Sequence, residues 1–219
     1  WGDIGAYGSE IRTPNLDGLA GQGLRFTQMY NSARCCPTRA ALLTGLHPHQ
    51  AGVGHMVVNM GVPSYQGSLN NNCVTIAEVL KAAGYRTLMA GKWHVGGEQA
   101  NLPEDWYPDM PGYPTPMGRG FDRFYGILSG GGNYYNPNML MDGTTRICVD
   151  TLDYHFTDAI SEKAAQFVED ASYRDEPFFL YLAYTAPHWP LHAWQEDGIR
   201  SHETVAGPAD RHKPLSENV

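Results

Sequence analysis

The sequence predicts an α/β fold, a mainly parallel sheet flanked by helices, on three observations. A capped helix after Thr75 runs through a short connection into a strand at Tyr85–Ala90. A long amphipathic helix occupies about Thr157–Ala171. The stretch Phe178–Tyr184 (FFLYLAY) is almost continuously apolar. Alternation of helix and strand is how parallel sheets are wired, and a strand apolar on both sides belongs inside one. At 219 residues the chain has the length of one domain or slightly more. With 42% hydrophobic and 17% charged residues it is too apolar for disorder. Lys+Arg 15 against Asp+Glu 23 leaves a net charge of −8, which argues against a nucleic-acid or anionic-membrane partner. No run approaches the roughly 18 apolar residues of a membrane helix. Four cysteines are too few for a disulfide scaffold.

Each element has a local cause. Thr13-Pro14 supplies an N-cap and a proline in the first turn, and Leu16, Leu19 and Ala20 share one face of the helix that follows. Gly21 or Gly23 ends it, and Leu24–Tyr30 (LRFTQMY) reads as a short strand. A second helix is expected from near Pro37 to Gly45. In the third, Thr75 and Glu78 form a capping box, Ile76, Val79, Leu80 and Ala83 share a face, and Gly84 closes the helix. Five prolines (Pro103, Pro108, Pro111, Pro114, Pro116) exclude regular structure from Asn101 to Gly120. Phe121–Leu128 is the next strand, followed by a Gly- and Tyr-rich loop at Gly130–Asn138. The helix after it buries Ile160, Ala164, Phe167 and Val168. There is no internal repeat. Ligands in such sheets gather beyond the carboxyl ends of the strands.

Chemistry concentrates in Ser32–Gly45 (SARCCPTRAALLTG). Cys35 is expected just before the helix that Pro37 nucleates, so orphan amide N–H groups and the positive end of the helix dipole face it. Such a terminus is an anion site and acidifies a thiol. Arg39, one turn in, adds a planar fork suited to a tetrahedral oxyanion. On physical grounds alone, Cys35 is a candidate nucleophile in an anion pocket.

Cys35-Cys36-Pro37-Thr38-Arg39 with Leu42-Leu43-Thr44-Gly45 resembles the type I sulfatase (arylsulfatase) signature C-x-P-[ST]-R-x-x-x-L-T-G. Trp1-Gly2-Asp3 and Thr13–Asp17 (TPNLD) resemble that family's opening. Gly91–Gly96 (GKWHVG) and Ala186–Pro190 (APHWP) resemble its G-K-W-H-x-G and A-P-H-x-P motifs. The resemblance implies an alkaline-phosphatase-like fold and a sulfuric ester hydrolase in which Cys35 is converted to Cα-formylglycine by a maturating enzyme. One hydroxyl of the hydrated aldehyde then attacks sulfur, and the other expels sulfate. By the same resemblance Arg39 holds the formylglycine, Lys92 binds a sulfate oxygen, His94 contacts the eliminating hydroxyl, and His188 assists the leaving group. Substrates would be small-molecule or carbohydrate sulfate esters, and the family suggests a periplasmic or secreted setting. A phosphonate or phosphate monoester hydrolase using the same modified cysteine is the alternative.

The family also implies one Ca²⁺ per site, with residue 35 as a ligand in its formylglycine form. The family's Asp, Asn and His ligands are expected upstream of Trp1 and downstream of Ala186–Pro190. Residues 1–197 are therefore expected to be a partial N-terminal catalytic domain cut at both ends, and 198–219 a polar tail that does not match. On this reading the 219-residue chain alone is a fragment with little or no activity. Cys36, Cys73 and Cys148 have no motif and read as structural or incidental thiols. His47, His49 and His55 lack the accompanying pattern of a zinc site. The aromatics Trp106, Tyr107, Tyr113, Tyr134 and Tyr135 suit either a sugar platform or loop packing. Gly130-Gly131-Gly132 is no phosphate loop, since no G-K-[ST] follows.

Overall fold

A computed structural model describes residues 3–96 and 114–194. The chain divides into two compact units, Trp1–Asn31 and Ser32–Val219. In the first, Thr13 precedes helix α1 (Pro14–Gln22) but does not cap it with its side chain. Its hydroxyl donates instead to Asp17 Oδ1 at 2.9 Å and accepts from the Gly5 amide at 2.9 Å. Leu16 and Leu19 are exposed, contrary to the expected buried face. The strand expected at Leu24–Tyr30 does not form. A strand exists only by pairing, and here the segment is held by two ties: Tyr7 Oη donates to Phe26 O, and Arg25 donates to Ala6 O.

The second unit carries the sheet. Its helices are α2 (Cys35–Thr44), α3 (Ile76–Ala82) and α4 (Phe156–Ser172). Its strands are β1 (Arg86–Lys92), β2 (Arg123–Ile127), β3 (Leu140–Asp142), β4 (Thr145–Arg146) and β5 (Phe178–Ala183), in the order β4-β3-β2-β1-β5. β1 runs parallel to both β2 and β5, which makes the three long strands the parallel body of the sheet, and the short β3 and β4 add an antiparallel hairpin at one side. The hairpin was not foreseen because strands of three and two residues leave no periodicity to read. The Thr75–Glu78 capping box is present in full.

Alternation along β1 separates two apolar layers. Leu88 and Ala90 face α4, where Phe156, Ile160, Ala164, Phe167 and Ala171 cover them. Met89 faces the other way, into a cluster with Cys36, Ala40 and Leu43 of α2, Ala77 of α3, and Trp93 and Phe124. The face expected to be buried on α3 is open at Ile76 and Val79, and Ala77 is the residue packed instead. Val168 is likewise 39% exposed on α4. β5 is not the doubly buried strand its composition suggests. It pairs only with β1 among the described residues, and Phe178 and Leu182 are exposed. No helix among the described residues is long and apolar enough to cross a membrane.

β1, β2 and β5 point the same way, so their carboxyl ends share one edge. At that edge Gly126, Gly91 and Ala183 lie side by side in register. Gly91 has φ +116°, and a Cβ there would sit 2.0 Å from Ala183 O. Only glycine permits this approach just before Lys92.

Candidate active site

Cys35 is the first residue of α2, not a residue ahead of it, so the helix starts two positions before Pro37. Arg34 occupies the N-cap in extended conformation without a side-chain cap. Helix geometry leaves the amides of Cys35 and Cys36 without an intrahelical acceptor, and Pro37 has no N–H to add. Burial of Cys36, Pro37, Ala40 and Leu43 pins the helix to the sheet, and Gly45 closes it in the left-handed region.

The Cys35 thiol is held far below its ordinary value. Hydrogen bonds donated by the Cys36 thiol and by His94 do most of this, and the charge of Lys92 adds to it against the opposing effect of burial. Cys36 is pushed up in turn, first because its proton is engaged with Cys35 and then by burial. Burial drives the His94 imidazole below its usual value, against the pull of Cys35, so the ring is neutral at pH 7. His94 is 3% exposed and Lys92 2% exposed. Arg39 donates to the Lys92 carbonyl at 2.5 Å and approaches Tyr181 Oη at 3.4 Å, which ties α2 to the ends of β1 and β5. Cys35, Arg39, Lys92 and His94, which lie far apart in sequence, therefore share one cationic corner.

Backbone strain marks the same corner. Ala33 and His94 both have φ 57°, in the left-handed region that non-glycine residues avoid. Such residues persist where surrounding contacts over-determine them, and they gather at functional sites. The backbone at Trp93 and His94 is held by amide donation to Ile127 O and Leu128 O, at 2.9 and 3.1 Å. The Trp93 indole, fully buried, donates to Pro114 O at 2.6 Å.

His188 stands on the β5 side of the same edge and is exposed. The structure relates it to His94 through the glycine run that follows β2. A Cβ on Gly130 would lie 2.5 Å from His94 Cε1, and one on Gly131 would lie 3.5 Å from His188 Nδ1. The run is thus a floor for two imidazoles, a use that a search for phosphate loops could not reveal. Its legible signal was position, since it follows directly on an expected strand end. Tyr134 Oη donates to the His188 carbonyl at 2.8 Å, and the Tyr134 amide donates to His192 Nδ1 at 3.2 Å. Tyr134 and Tyr135 stack with His155 and His192 and are 3% exposed, so packing is their role here and a sugar platform is not. Trp106, Tyr107 and Tyr113 lie outside the described residues, as do Trp1, Gly2 and the tail.

His47 and His49 form a stacked pair bridged at 3.0 Å, and His49 also meets Tyr65 Oη at 3.0 Å. His55 does not join them in a metal-ligating group. Among the described residues, the group of three or more metal-ligating side chains is Cys35, Cys36 and His94. Two sulfurs and an imidazole are a soft donor set. Calcium takes six to eight oxygens, which two thiols and an imidazole do not supply; of the three, residue 35 alone would offer one, once its sulfur is replaced by oxygen.

A family model described as Sulfatase matches residues 1–204. The chain is 35% identical over 211 residues to an arylsulfatase of Klebsiella aerogenes, covering 90% of this chain and 42% of the relative. It is 36% identical over 226 residues to arylsulfatase A of Homo sapiens, covering 92% and 41%. Among solved structures, Ps i-CgsB in complex with k-i-k-neocarrahexaose superposes with a TM-score of 0.75 at 33% identity, covering 91% of this chain and 45% of that one. The chain spans about two fifths of the length of the curated relatives it matches.

Proposed function

Given that the chain belongs to the sulfatase family, we propose that it forms the nucleophile-bearing part of a sulfuric ester hydrolase, with residue 35 acting as Cα-formylglycine. One observation carries the reading. The motif cysteine opens α2 in contact with His94 and within the charge of Lys92, while Arg39 is tied to Lys92. When converted and hydrated, residue 35 supplies a hydroxyl that attacks sulfur and a second hydroxyl whose deprotonation expels sulfate.

The chain's own residues do the rest. Lys92 and Arg39 offset the charge on the equatorial sulfate oxygens, where preorganised cations act most strongly in a dry site. The neutral His94 ring accepts the proton of the eliminating hydroxyl. His188, exposed on the open side, faces the ester oxygen and protonates the departing alkoxide. As formylglycine, residue 35 would offer an oxygen to a hard cation such as Ca²⁺, whereas the Cys36 sulfur and the His94 ring would not, and no step is routed through that ion. A sulfated carbohydrate is the preferred substrate class, supported by the oligosaccharide-bound structural neighbour.

The test uses a protein of the relatives' full length co-expressed with a formylglycine-generating enzyme. Mass spectrometry of the residue 35 peptide is expected to show sulfur replaced by a carbonyl oxygen. Turnover of sulfated oligosaccharide and aryl sulfate is expected to exceed that of aryl phosphonate, and Cys35→Ala to abolish it. An unconverted thiol together with undiminished turnover in Cys35→Ala would refute the reading.

A further inference from the structure

Cys36 has no part in the reaction above, yet it is wholly enclosed beside Cys35. It is 0% exposed, and its sulfur lies 3.8 Å from Met56 Sδ. The sulfurs of Cys35 and Cys36 and a ring nitrogen of His94 all lie within 4.8 Å of one another. We propose that, before residue 35 is converted, Cys35, Cys36 and His94 form a binding site for a thiophilic d¹⁰ cation, with zinc(II) as its reference occupant. Only the word "converted" rests on the proposed function; the site itself rests on the three donors.

Three protein ligands plus one open position is the arrangement of an accessible zinc centre. Tetrahedral bonds of about 2.3 Å to sulfur and 2.0 Å to nitrogen bring donors to about 3.5–3.8 Å from each other. Side-chain rotation of roughly an ångström closes the observed triangle to that size. The donors sit on stiff supports: two lie in the first turn of α2, and the His94 amide is held by the Leu128 carbonyl just past β2. The half-buried Cys35 faces the open side, which leaves room for a water as fourth ligand. Two thiolates and a divalent cation sum to zero, so Lys92 and Arg39 nearby carry no extra repulsion against the filled site. Thiolate sulfur and imidazole select zinc or copper(I) over calcium and magnesium.

No electron changes hands on binding. Zn²⁺ takes the lone pairs of the Cys35 thiolate, the Cys36 sulfur and the neutral His94 ring. The Cys36 thiol proton goes to solvent. The His94 hydrogen that faces Cys35 moves to the other ring nitrogen. Replacing the Cys35 sulfur by a carbonyl removes one of the three ligands, so the site exists only in the unconverted chain.

The test uses the reduced 219-residue chain made without a maturating enzyme, titrated with Zn²⁺ against a chromophoric chelator and with Co²⁺ as a spectroscopic probe. The expected result is one ion per chain, a sulfur-to-cobalt charge-transfer band, and protection of the half-buried Cys35 from a thiol reagent while the exposed Cys148 still reacts. Cys36→Ser and Cys35→Ser are each expected to weaken zinc by about 100-fold or more. Cys73→Ser and Cys148→Ser should leave affinity unchanged. Because Cys36 is buried, circular dichroism of each variant is compared with the parent, and the half-exposed Cys35→Ser serves if Cys36→Ser unfolds. Absence of stoichiometric zinc in a folded chain would overturn the proposal. So would binding that survives Cys35→Ser, or binding that is lost instead on His49→Ala. Failure of conversion in the full-length protein would refute the proposed function and leave this measurement standing.

Discussion

At the scale of single residues, two imidazoles near Cys35 are placed by neighbours to which the proposed reaction gives no part. His94 occupies a strained backbone position, and Gly130 leaves no room for even a methyl group beside its ring. Gly130→Ala in the full-length enzyme is expected to lower kcat about 10- to 100-fold with modest change in KM, since sub-ångström misplacement of a reacting group costs on that scale. Steady-state kinetics checks this, and a circular dichroism spectrum like the parent's separates displacement of His94 from unfolding. His188 is steadied differently, by the hydroxyl of Tyr134 on its carbonyl and by Gly131 beneath its ring. Cys35, Arg39, Lys92, His94 and His188 were readable as candidates because their motifs have fixed spacing. The contacts that Gly130, Tyr134 and Cys36 make with them were not, because nothing in a linear pattern says which residues a ring or sulfur will touch.

At the scale of elements, α3 shows how one local motif is built into the fold. The Thr75 hydroxyl caps the helix and also donates to Arg119 O at 2.8 Å. Arg119 returns the contact, with Nε donating to Glu78 Oε1 at 2.8 Å and another guanidinium nitrogen to Cys73 O at 2.7 Å. Thr75→Ala is expected to cost about 1–2 kcal/mol in urea unfolding, the upper range for a lost cap. Burial pushes the Glu78 carboxyl up, but Arg119 and Thr75 together hold it below its ordinary value. Its stabilisation is therefore full above the ordinary carboxylate range and is lost as pH falls through that range toward the lower folded value. Glu78→Gln is expected to cost about 1 kcal/mol or less at pH 7, because the pair is partly solvated. That difference should shrink on acidification, which urea melts from pH 7 down to about pH 3 would reveal. The capping box itself was legible in sequence. Its partner Arg119 was not, because 44 positions separate it from Thr75 in the chain.

At the scale of the whole molecule, the strands of the sheet are covered unequally. From Thr87 to Lys92 β1 is buried, whereas β5 lies at an edge of the sheet among the described residues, with Phe178 at 39% and Leu182 at 41% exposure. An exposed strand edge with apolar side chains templates association with other chains. Light scattering of the 219-residue chain is expected to show concentration-dependent self-association that Leu182→Lys reduces, with little change in thermal unfolding. Unaltered association in that variant would move the cause to the exposed faces of α1 or α3, where Leu19 and Val79 stand clear of cover.

The sequence by itself determined the α/β class, the family, the capped α3, the amphipathic α4 and the residues of the Cys35 motif. Each of these is written in local spacing, which backbone geometry converts directly into a face, a cap or a turn. Tertiary structure alone decided that Leu24–Tyr30 forms no strand, that β5 is an edge among the described residues, that the glycine run supports two imidazoles and that a second cysteine faces the first. Strand pairing, edge position and side-chain contact depend on what a segment meets across the fold, and a segment's own residues do not contain that information.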